Sequence, residues 1–478
     1  MLIRSAEVAG ESRDVRLTSG RIETIAPTLS AQQGERLIDA KGGALIPGLT
    51  DHHLHVQSLA AALESVPCGP PKVEDSDDLV RALSAAEPTS GWLRGTGYFE
   101  SVAGELDRDR LDAIRSDVPL RIQHRSGILW FCNSRALEAL GLDDATGVDT
   151  GTETGVQRNA QGRATGRLFR ADEWLRDRLP RRAPPDLARV GHLLASYGVT
   201  ALTDCTPSNS AEDLEVLKNA QATGALPQRL EVMGSLELPS HGGSQDRLRT
   251  GAHKIMLDEP ALPDFDKLVE RITRAHRADR AVAFHTVTRA EIHFALAALD
   301  AAGTLRGDRL EHASVTPPEA VEIVQRLGIG IATQPNFIAE RGDAYLENVD
   351  LKDQPHLYRV ASWIEAGVPL AGGTDAPFGD PDPWRAMCAA VKRRSPTGSL
   401  LGEAERVTPE VALRLFSDRA LARSGREKHS QTAPAPRVGL PADLCLLDRP
   451  WKIVREDLSS DRVAATFMGG EAIYERRP

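Results

Sequence analysis

The spacing of hydrophobic positions along this chain changes twice, and the change divides it into three regions. Near both ends, short runs alternate apolar and polar residues and are separated by turns, as at Ser19-Gly20. Such a pattern predicts antiparallel strands with one buried face. Strands this short cannot bury a hydrophobic core alone. We therefore expect residues 1–45 and 425–478 to pair as one small β-sandwich domain.

The region between the ends alternates apolar runs with stretches in which apolar residues recur every three to four positions. This alternation is typical of βα units around a parallel sheet. After a first strand at 44–46, seven further strands are predicted, at 118–123, 199–204, 253–257, 281–285, 309–312, 329–334 and 368–375. Eight strands with helices between them predict a (β/α)8 TIM barrel over residues 46–424. The intervals at about 57–117 and 126–198 are longer than a βα unit needs, and we expect them to carry loops or a lid over the site.

Two histidines two positions apart follow the first predicted strand, in the segment Asp51-His52-His53-Leu54-His55. Side chains along a strand alternate between its faces, so His53 and His55 leave the same face and His52 leaves the other. Two imidazoles held in this way can bind one divalent metal ion. Taken alone, the segment is also compatible with a polar loop that carries surface histidines.

More polar residues lie within the predicted barrel strands or at their C-terminal ends: Lys254, His285, His312 and Asp375. In a barrel those ends face one space, so we expect these side chains to converge with the paired histidines. Each one singly has an ordinary structural explanation, such as a buried histidine with both ring nitrogens bonded. Together they favour a metal site, because imidazole and carboxylate are ligands that suit zinc and similar ions.

If a metal ion binds at the barrel mouth, we expect the reaction to be a hydrolysis. Catalytic metal sites leave one position open for water, and the metal lowers the pKa of that water towards neutrality. We expect Asp375 to bind the metal, accept the proton of the water and pass it to a leaving nitrogen.

The same segments resemble the amidohydrolase superfamily. Residues 47–55, Pro-Gly-Leu-Thr-Asp-His-His-Leu-His, resemble its opening metal motif, and residues 310–313 and 372–377 resemble its sixth- and eighth-strand motifs. Three further segments resemble the amidohydrolase-3 branch, which includes N-substituted formamide deformylase; they lie at 91–97, 133–137 and 334–337. The resemblance extends over nearly the whole chain and includes the terminal β-sandwich.

The resemblance implies a metal-ligand set of six residues: His53, His55, Lys254, His285, His312 and Asp375. Asp375 is implied to serve as proton shuttle as well. Lys254 matches a fourth-strand lysine that, in binuclear members, is carboxylated and bridges two metal ions. The alternative is a mononuclear site in which an unmodified Lys254 lies near the substrate.

Three positions depart from the pattern of that branch. Ile128 stands where a histidine is usual, and Arg170 stands where an acidic residue is usual. The lysine is followed by Leu-Asp-Glu-Pro at 257–260 instead of an Asp-Gly-Ser segment. These changes leave the implied ligand set intact, and the formamide specificity is not carried over to this chain.

Composition narrows the range of partners. The chain has 478 residues and a net charge of −10, which argues against nucleic acid and anionic membranes as partners. No apolar run is long enough to span a membrane, and the first residues lack the apolar core of a signal peptide. The five cysteines are scattered, which is typical of reduced thiols in a cytoplasmic protein. We expect a small-molecule substrate and a homodimer.

Three functional hypotheses follow. The first is a metal-dependent hydrolase, with one or two zinc ions, that cleaves the carbon–nitrogen bond of an amide or cyclic amide. The second is a deaminase of a heterocyclic substrate at a mononuclear site. The third is a catalytically silent barrel with a binding role, which the departures at Ile128 and Arg170 favour. Retention of the complete ligand set argues against the third hypothesis.

Overall fold

The structure, a computed structural model, describes residues 1–142, 155–179, 185–243, 246–417, 421 and 433–477. The chain divides into two compact units, of which one comprises Met1–Val56 with Leu187–Pro478 and the other Gln57–Asp186. The predicted domain boundary near residue 425 lies outside the described residues. Among the described residues, no helix is both long and apolar enough to cross a membrane.

The strands of the described residues, numbered in chain order, are β1 (Leu2–Val8), β2 (Glu11–Thr18), β3 (Arg21–Ala26), β4 (Leu37–Asp39), β5 (Leu45–Pro47), β6 (Leu49–Leu54), β7 (Val66–Pro67), β8 (Leu93–Tyr98), β9 (Leu120–His124), β10 (Leu129–Cys132), β11 (Gly155–Arg158), β12 (Ala164–Phe169), β13 (Val199–Asp204), β14 (Arg229–Gly234), β15 (Leu248–Met256), β16 (Val282–Thr286), β17 (Arg309–His312), β18 (Gly330–Thr333), β19 (Leu370–Gly372), β20 (Leu444–Leu447), β21 (Val463–Met468) and β22 (Glu471–Glu475).

The helices are α1 (Val56–Leu63), α2 (Ser76–Ala85), α3 (Glu100–Ala103), α4 (Arg108–Ile114), α5 (Ser134–Ala139), α6 (Asp172–Arg178), α7 (Leu187–Ser196), α8 (Ala211–Ala222), α9 (Phe265–Arg277), α10 (Arg289–Ala302), α11 (Pro318–Leu327), α12 (Asn336–Asn348), α13 (Ala361–Glu365), α14 (Pro383–Lys392), α15 (Pro409–Leu415) and α16 (Trp451–Val454).

Eight parallel strands form the largest sheet, in the order β6, β13, β14, β15, β16, β17, β18 and β19. The two end strands are joined through the residues that follow them. The Asp375 N–H donates to the His53 carbonyl at 2.7 Å, and the His55 N–H donates to the Ala376 carbonyl at 2.8 Å. With helices between most of these strands, the architecture is a (β/α)8 TIM barrel, and the predicted fold class is confirmed.

One predicted barrel strand was wrong and another was missed. Residues 118–123 fall largely in β9, which belongs to the sheet of the other unit, and β14 occupies the barrel position between β13 and β15. The alternation of Leu120 and Ile122 suits a half-buried strand of any sheet, so it does not specify the barrel. The sequence of β14 contains the charged Glu231, which pairs with Arg249 of β15 at 2.5 Å. A charged residue inside a short apolar run interrupts the hydrophobic pattern, so the pattern does not predict such a strand.

The first barrel strand also differs from its prediction at 44–46. Residues of β5 pair with β20 of the sandwich, and the barrel begins with β6, from which β5 is separated by a single residue. Gly48 separates the two strands, and a Cβ at this position would lie 2.2 Å from the Thr200 hydroxyl oxygen. Only glycine therefore fits at this crossing from one sheet to the other.

The two chain ends form the β-sandwich, as expected. One sheet has the order β3, β2, β1 and β4, and the other has the order β22, β21, β20 and β5. The predicted hairpin joins β2 and β3 and pairs Thr18 with Arg21 across its turn. Ile3, Val15 and Phe467 belong to a common buried core that draws on both sheets, which explains how strands too short to be stable alone persist here.

The unit Gln57–Asp186 has its own sheet, in the order β11, β12, β10, β9, β8 and β7. Leu79, Leu111 and Phe131 lie in a buried core of this unit. The unit contains most of the two intervals expected to be insertions, together with the strand between them. The role of these residues as a lid stays a prediction.

Candidate metal centre

The predicted ligands lie near the C-terminal ends of barrel strands. They are distributed as follows: His53 in β6 and His55 directly after it, Lys254 in β15, His285 in β16, His312 at the end of β17, and Asp375 shortly after β19. In a parallel barrel these ends surround one space, which is where catalytic groups collect.

Asp375 contacts both histidines of the paired motif. Its Oδ1 atom lies 3.2 Å from His55 Nε2 and 3.5 Å from His53 Nε2. One ligand-type atom each from His53, Asp375 and His312 lie within 4.8 Å of one another. Ligand atoms at bonding distance from one divalent ion are about 3–4 Å apart. The arrangement therefore suits a shared metal ion.

Ring contacts connect the remaining histidines to this group. The ring centroids of His53 and His312 are 4.6 Å apart, and those of His285 and His312 are 4.5 Å apart. His52, in contrast, bonds the carbonyl of Ser417 through Nε2 at 2.8 Å. The structure thus brings His53, His285 and His312 together, whereas His52 makes a separate contact with the backbone.

Lys254 is buried near the group without a hydrogen-bond partner. Its side chain is 2% exposed, and its Nζ has no acceptor among the described residues. Burial, and after it the charge of Lys254, lowers the pKa of His53 and of His285. A buried ammonium with no acceptor is energetically costly. A group that converts this nitrogen into a ligand, or places an anion beside it, would remove that cost, so these residues fit a metal centre.

The protonation states also suit metal binding. Burial, followed by the charge of Lys254, lowers the pKa of His285 to about 3. Burial and the neighbouring His285 hold the pKa of His312 well below its ordinary value. Although burial acts to raise the pKa of Asp375, the close approach of His55 and the neighbouring imidazoles lower it overall. Neutral imidazoles and an ionised carboxylate are the forms that bind metals.

Three residues that the sequence analysis did not assign to the site orient its histidines. Glu311 Oε2 lies 2.6 Å from His53 Nδ1, Thr206 Oγ1 lies 2.9 Å from His55 Nδ1, and Gln334 Oε1 lies 2.8 Å from His312 Nδ1. Such partners select the tautomer and the ring orientation of metal-binding histidines. All three lie at or just beyond the C-terminal end of a barrel strand, and this position is the signal that could have identified them.

A second group of ligand-type atoms, from His53, Cys205 and Glu311, is equally compact. The 2.6 Å separation of His53 Nδ1 and Glu311 Oε2 is that of a hydrogen bond. Burial raises the pKa of the Cys205 thiol well above its ordinary value, which disfavours the thiolate that metals require. The Asp375 side of His53 is therefore the better metal position.

Asp51 connects the two strands that carry the paired histidines and Asp375. Its carboxylate accepts hydrogen bonds from the His53 N–H at 3.1 Å and from the Thr374 hydroxyl at 2.5 Å. Burial raises the pKa of Asp51 to about 7.

His312 and Asp375 have φ angles of 67° and 58°, in the left-handed region. Such strained backbone costs about 1–3 kcal/mol per residue and is concentrated at functional sites.

Sequence comparison identifies the class of protein to which this barrel and site belong. The chain belongs to the Amidohydrolase family, whose profile matches residues 36–474. It is 25% identical over 538 aligned residues to N-substituted formamide deformylase from Arthrobacter pascens, and the alignment covers 99% of this chain and 97% of that protein. The resemblance to this family is confirmed.

Solved structures share the fold. A metal-dependent hydrolase of uncharacterised function from Pyrococcus horikoshii OT3 superposes with a TM-score of 0.71 at 20% identity, covering 95% of this chain and 97% of that chain. N-isopropylammelide isopropylaminohydrolase from Burkholderia multivorans ATCC 17616 superposes with a TM-score of 0.53 at 16% identity, covering 99% and 98%. Both similarities support the barrel architecture.

Proposed function

We propose that this chain is a metal-dependent hydrolase that cleaves the carbon–nitrogen bond of an amide or cyclic amide. The observation that carries the proposal is the convergence of Asp375 with His53, His55 and His312 at the barrel mouth. Membership of the Amidohydrolase family supports hydrolysis as the reaction type. The relative from Arthrobacter pascens, a formamide deformylase by name, supports the class of bond.

In this proposal the metal ligands are His53, His55, Lys254, His285, His312 and Asp375. Nitrogen and oxygen donors of this kind favour zinc. A carbamate on the buried Lys254 would turn an unpartnered cation into a two-oxygen bridging ligand, which would allow two ions. A cytoplasmic location and a homodimer remain part of the proposal.

The residues around the metal centre have distinct tasks. A divalent ion, when bound, supplies a water of lowered pKa and polarises the scissile group. The Asp375 carboxylate takes up a proton during attack and delivers it to the leaving nitrogen. His55 bonds Thr206 through Nδ1, which fixes the ring and leaves Nε2 facing Asp375, where both groups would bind the ion. Asp51 and Thr374 maintain the backbone that carries Asp375.

Removal and return of the metal test this function. After treatment with a chelator and gel filtration, the protein is expected to lose hydrolysis of a panel of N-substituted formamides, N-acyl amines and cyclic amides. Stoichiometric zinc should restore it, because the water needs a Lewis acid to ionise near neutral pH. Release of amine or ring opening is measured for each substrate.

Two outcomes of that experiment contradict the proposal. One is undiminished turnover by protein that elemental analysis finds free of metal. The other is a zinc-loaded, folded protein that hydrolyses no carbon–nitrogen bond on a broad panel. The second outcome would support a binding role for the barrel.

Deamination at a single ion is the second candidate. The group of His53, His312 and Asp375 brings together ligands for one ion, which favours a mononuclear centre. Release of ammonia from aminated heterocycles, with the carboxylic amides of the panel left intact, would support deamination. Release of an amine or opening of a cyclic amide supports the first candidate.

A further inference from the structure

Glu311 lies between a buried arginine and a proposed metal ligand. Its Oε1 accepts a hydrogen bond from Arg309 Nε at 2.5 Å, and its Oε2 lies 2.6 Å from His53 Nδ1. The Glu311 side chain is 0% exposed, and both of its partners are buried. Arg309 and Glu311 are two residues apart on β17, so both side chains leave the same face of the strand.

The chemistry of the three groups determines where the protons lie. A guanidinium can only donate, so Glu311 Oε1 must act as an acceptor. A buried carboxylate that is paired with a guanidinium at 2.5 Å carries no proton, and His53 Nδ1 is then the donor in the 2.6 Å hydrogen bond. His53 Nε2, which lies 3.5 Å from Asp375 Oδ1, keeps its lone pair.

We propose that Glu311 is a positioning residue that sets His53 in the Nδ1–H tautomer and so presents Nε2 to the metal, while Arg309 holds Glu311 in place. The inference rests on the proposed function, in that it takes His53 as a metal ligand. A carboxylate behind a metal-bound imidazole raises the basicity of that ligand as well as orienting it.

Arg309 is itself anchored to the strand that carries His53. Its NH2 group donates to the carbonyl of His52 at 3.2 Å, while its Nε donates to Glu311. One guanidinium thus connects the backbone of β6 with the carboxylate that orients the next residue. Small shifts of β6 relative to β17 would change both contacts together.

Stability alone is a weak reason for this pair. A buried ion pair is often no more stabilising than well-packed apolar residues of similar size, because desolvation offsets the attraction. The contact of Glu311 with a ligand histidine provides a specific reason for the pair.

Glu405 provides a matched control. It is also buried, at 2% exposure, and pairs with Arg359 at 2.9 Å. Its carboxylate accepts hydrogen bonds from the backbone N–H groups of Val360 and Ser362, and it contacts none of the proposed ligands. Substitution of either glutamate by glutamine removes one buried, paired negative charge with little change of shape.

The experiment compares Glu311→Gln and Glu405→Gln with the wild type. Zinc affinity is measured by competition with a chromophoric chelator, and the tautomer of His53 is read from 15N-histidine spectra of the metal-free protein. The His53 signal is assigned by its absence from a His53→Asn variant. Glu311→Gln is expected to weaken zinc binding by about 10–100-fold and to change the His53 tautomer signal. Glu405→Gln is expected to change neither.

Wild-type zinc affinity together with an unchanged His53 signal in Glu311→Gln would overturn the inference, as would equal losses of affinity in both variants. If Glu311→Gln does not fold, Glu311→Asp replaces it. Aspartate keeps the negative charge, but its shorter side chain moves the carboxylate away from His53 Nδ1. Unchanged zinc affinity in Glu311→Asp would also overturn the inference. Failure of the wild type to bind zinc would refute the proposed function, and the tautomer measurement on metal-free protein would still decide the role of Glu311.

Discussion

Replacement of Asp375 by asparagine is expected to lower kcat by about 10²–10⁴-fold while the protein stays folded, because that is the contribution of proton transfer by a placed group. Asparagine keeps the size of the side chain and tolerates the left-handed backbone at this position, where φ is 58°. It cannot accept the proton, and it is a weaker ligand than the carboxylate. The measurement is steady-state hydrolysis at saturating zinc.

Asp382→Asn is the control for this substitution. Asp382 is also a buried aspartate, and it accepts a hydrogen bond from the Trp384 N–H at 2.9 Å as the cap of α14. Asparagine caps a helix about as well as aspartate, so this substitution is expected to cost less than about 1 kcal/mol of stability and to leave kcat unchanged. Turnover near the wild-type level in Asp375→Asn would refute the proton-transfer role.

The double substitution of His53 and His55 by asparagine is expected to reduce bound zinc to below about a tenth of an ion per chain. The affinity of a site for zinc depends on the number of imidazole and carboxylate ligands that it offers. Asp375 Oδ1 would lose the neighbours that lie 3.5 Å and 3.2 Å from it. Zinc is measured by elemental analysis after dialysis, with circular dichroism as the check that the barrel is intact.

His52 offers a control within the same strand. It adjoins His53 but bonds the carbonyl of Ser417 through Nε2. Glutamine can donate a similar hydrogen bond, so His52→Gln is expected to retain the full zinc content. Equal zinc content in the double variant and in His52→Gln would show that the paired histidines are not ligands.

The barrel and the sandwich could be predicted because their hydrophobic periods differ along the chain. The hydrophobic pattern does not determine to which sheet a predicted strand belongs. Residues 118–123 alternate as a barrel strand would, yet they contribute to β9 in the other unit. The missed strand, β14, carries Glu231, whose charge is neutralised by Arg249 only once β14 and β15 are paired.

The candidate ligands were predictable for a different reason. Histidines and an aspartate lie near the C-terminal ends of predicted strands, and barrel topology assigns those ends to one place. The partners that orient them were not predictable. Glu311 and His53 are 258 positions apart, and the Thr374 hydroxyl and Asp51 are 323 positions apart. Contacts of that range depend on strand order, which no local pattern contains.

The most direct test is an anomalous difference map at the zinc absorption edge, from crystals grown with zinc. We expect the strongest peak at the barrel mouth, within about 2.0–2.2 Å of the Nε2 atoms of His53 and His55 or of a carboxylate oxygen of Asp375. A strong peak elsewhere, with these three side chains bound to no ion at full zinc occupancy, would contradict this expectation.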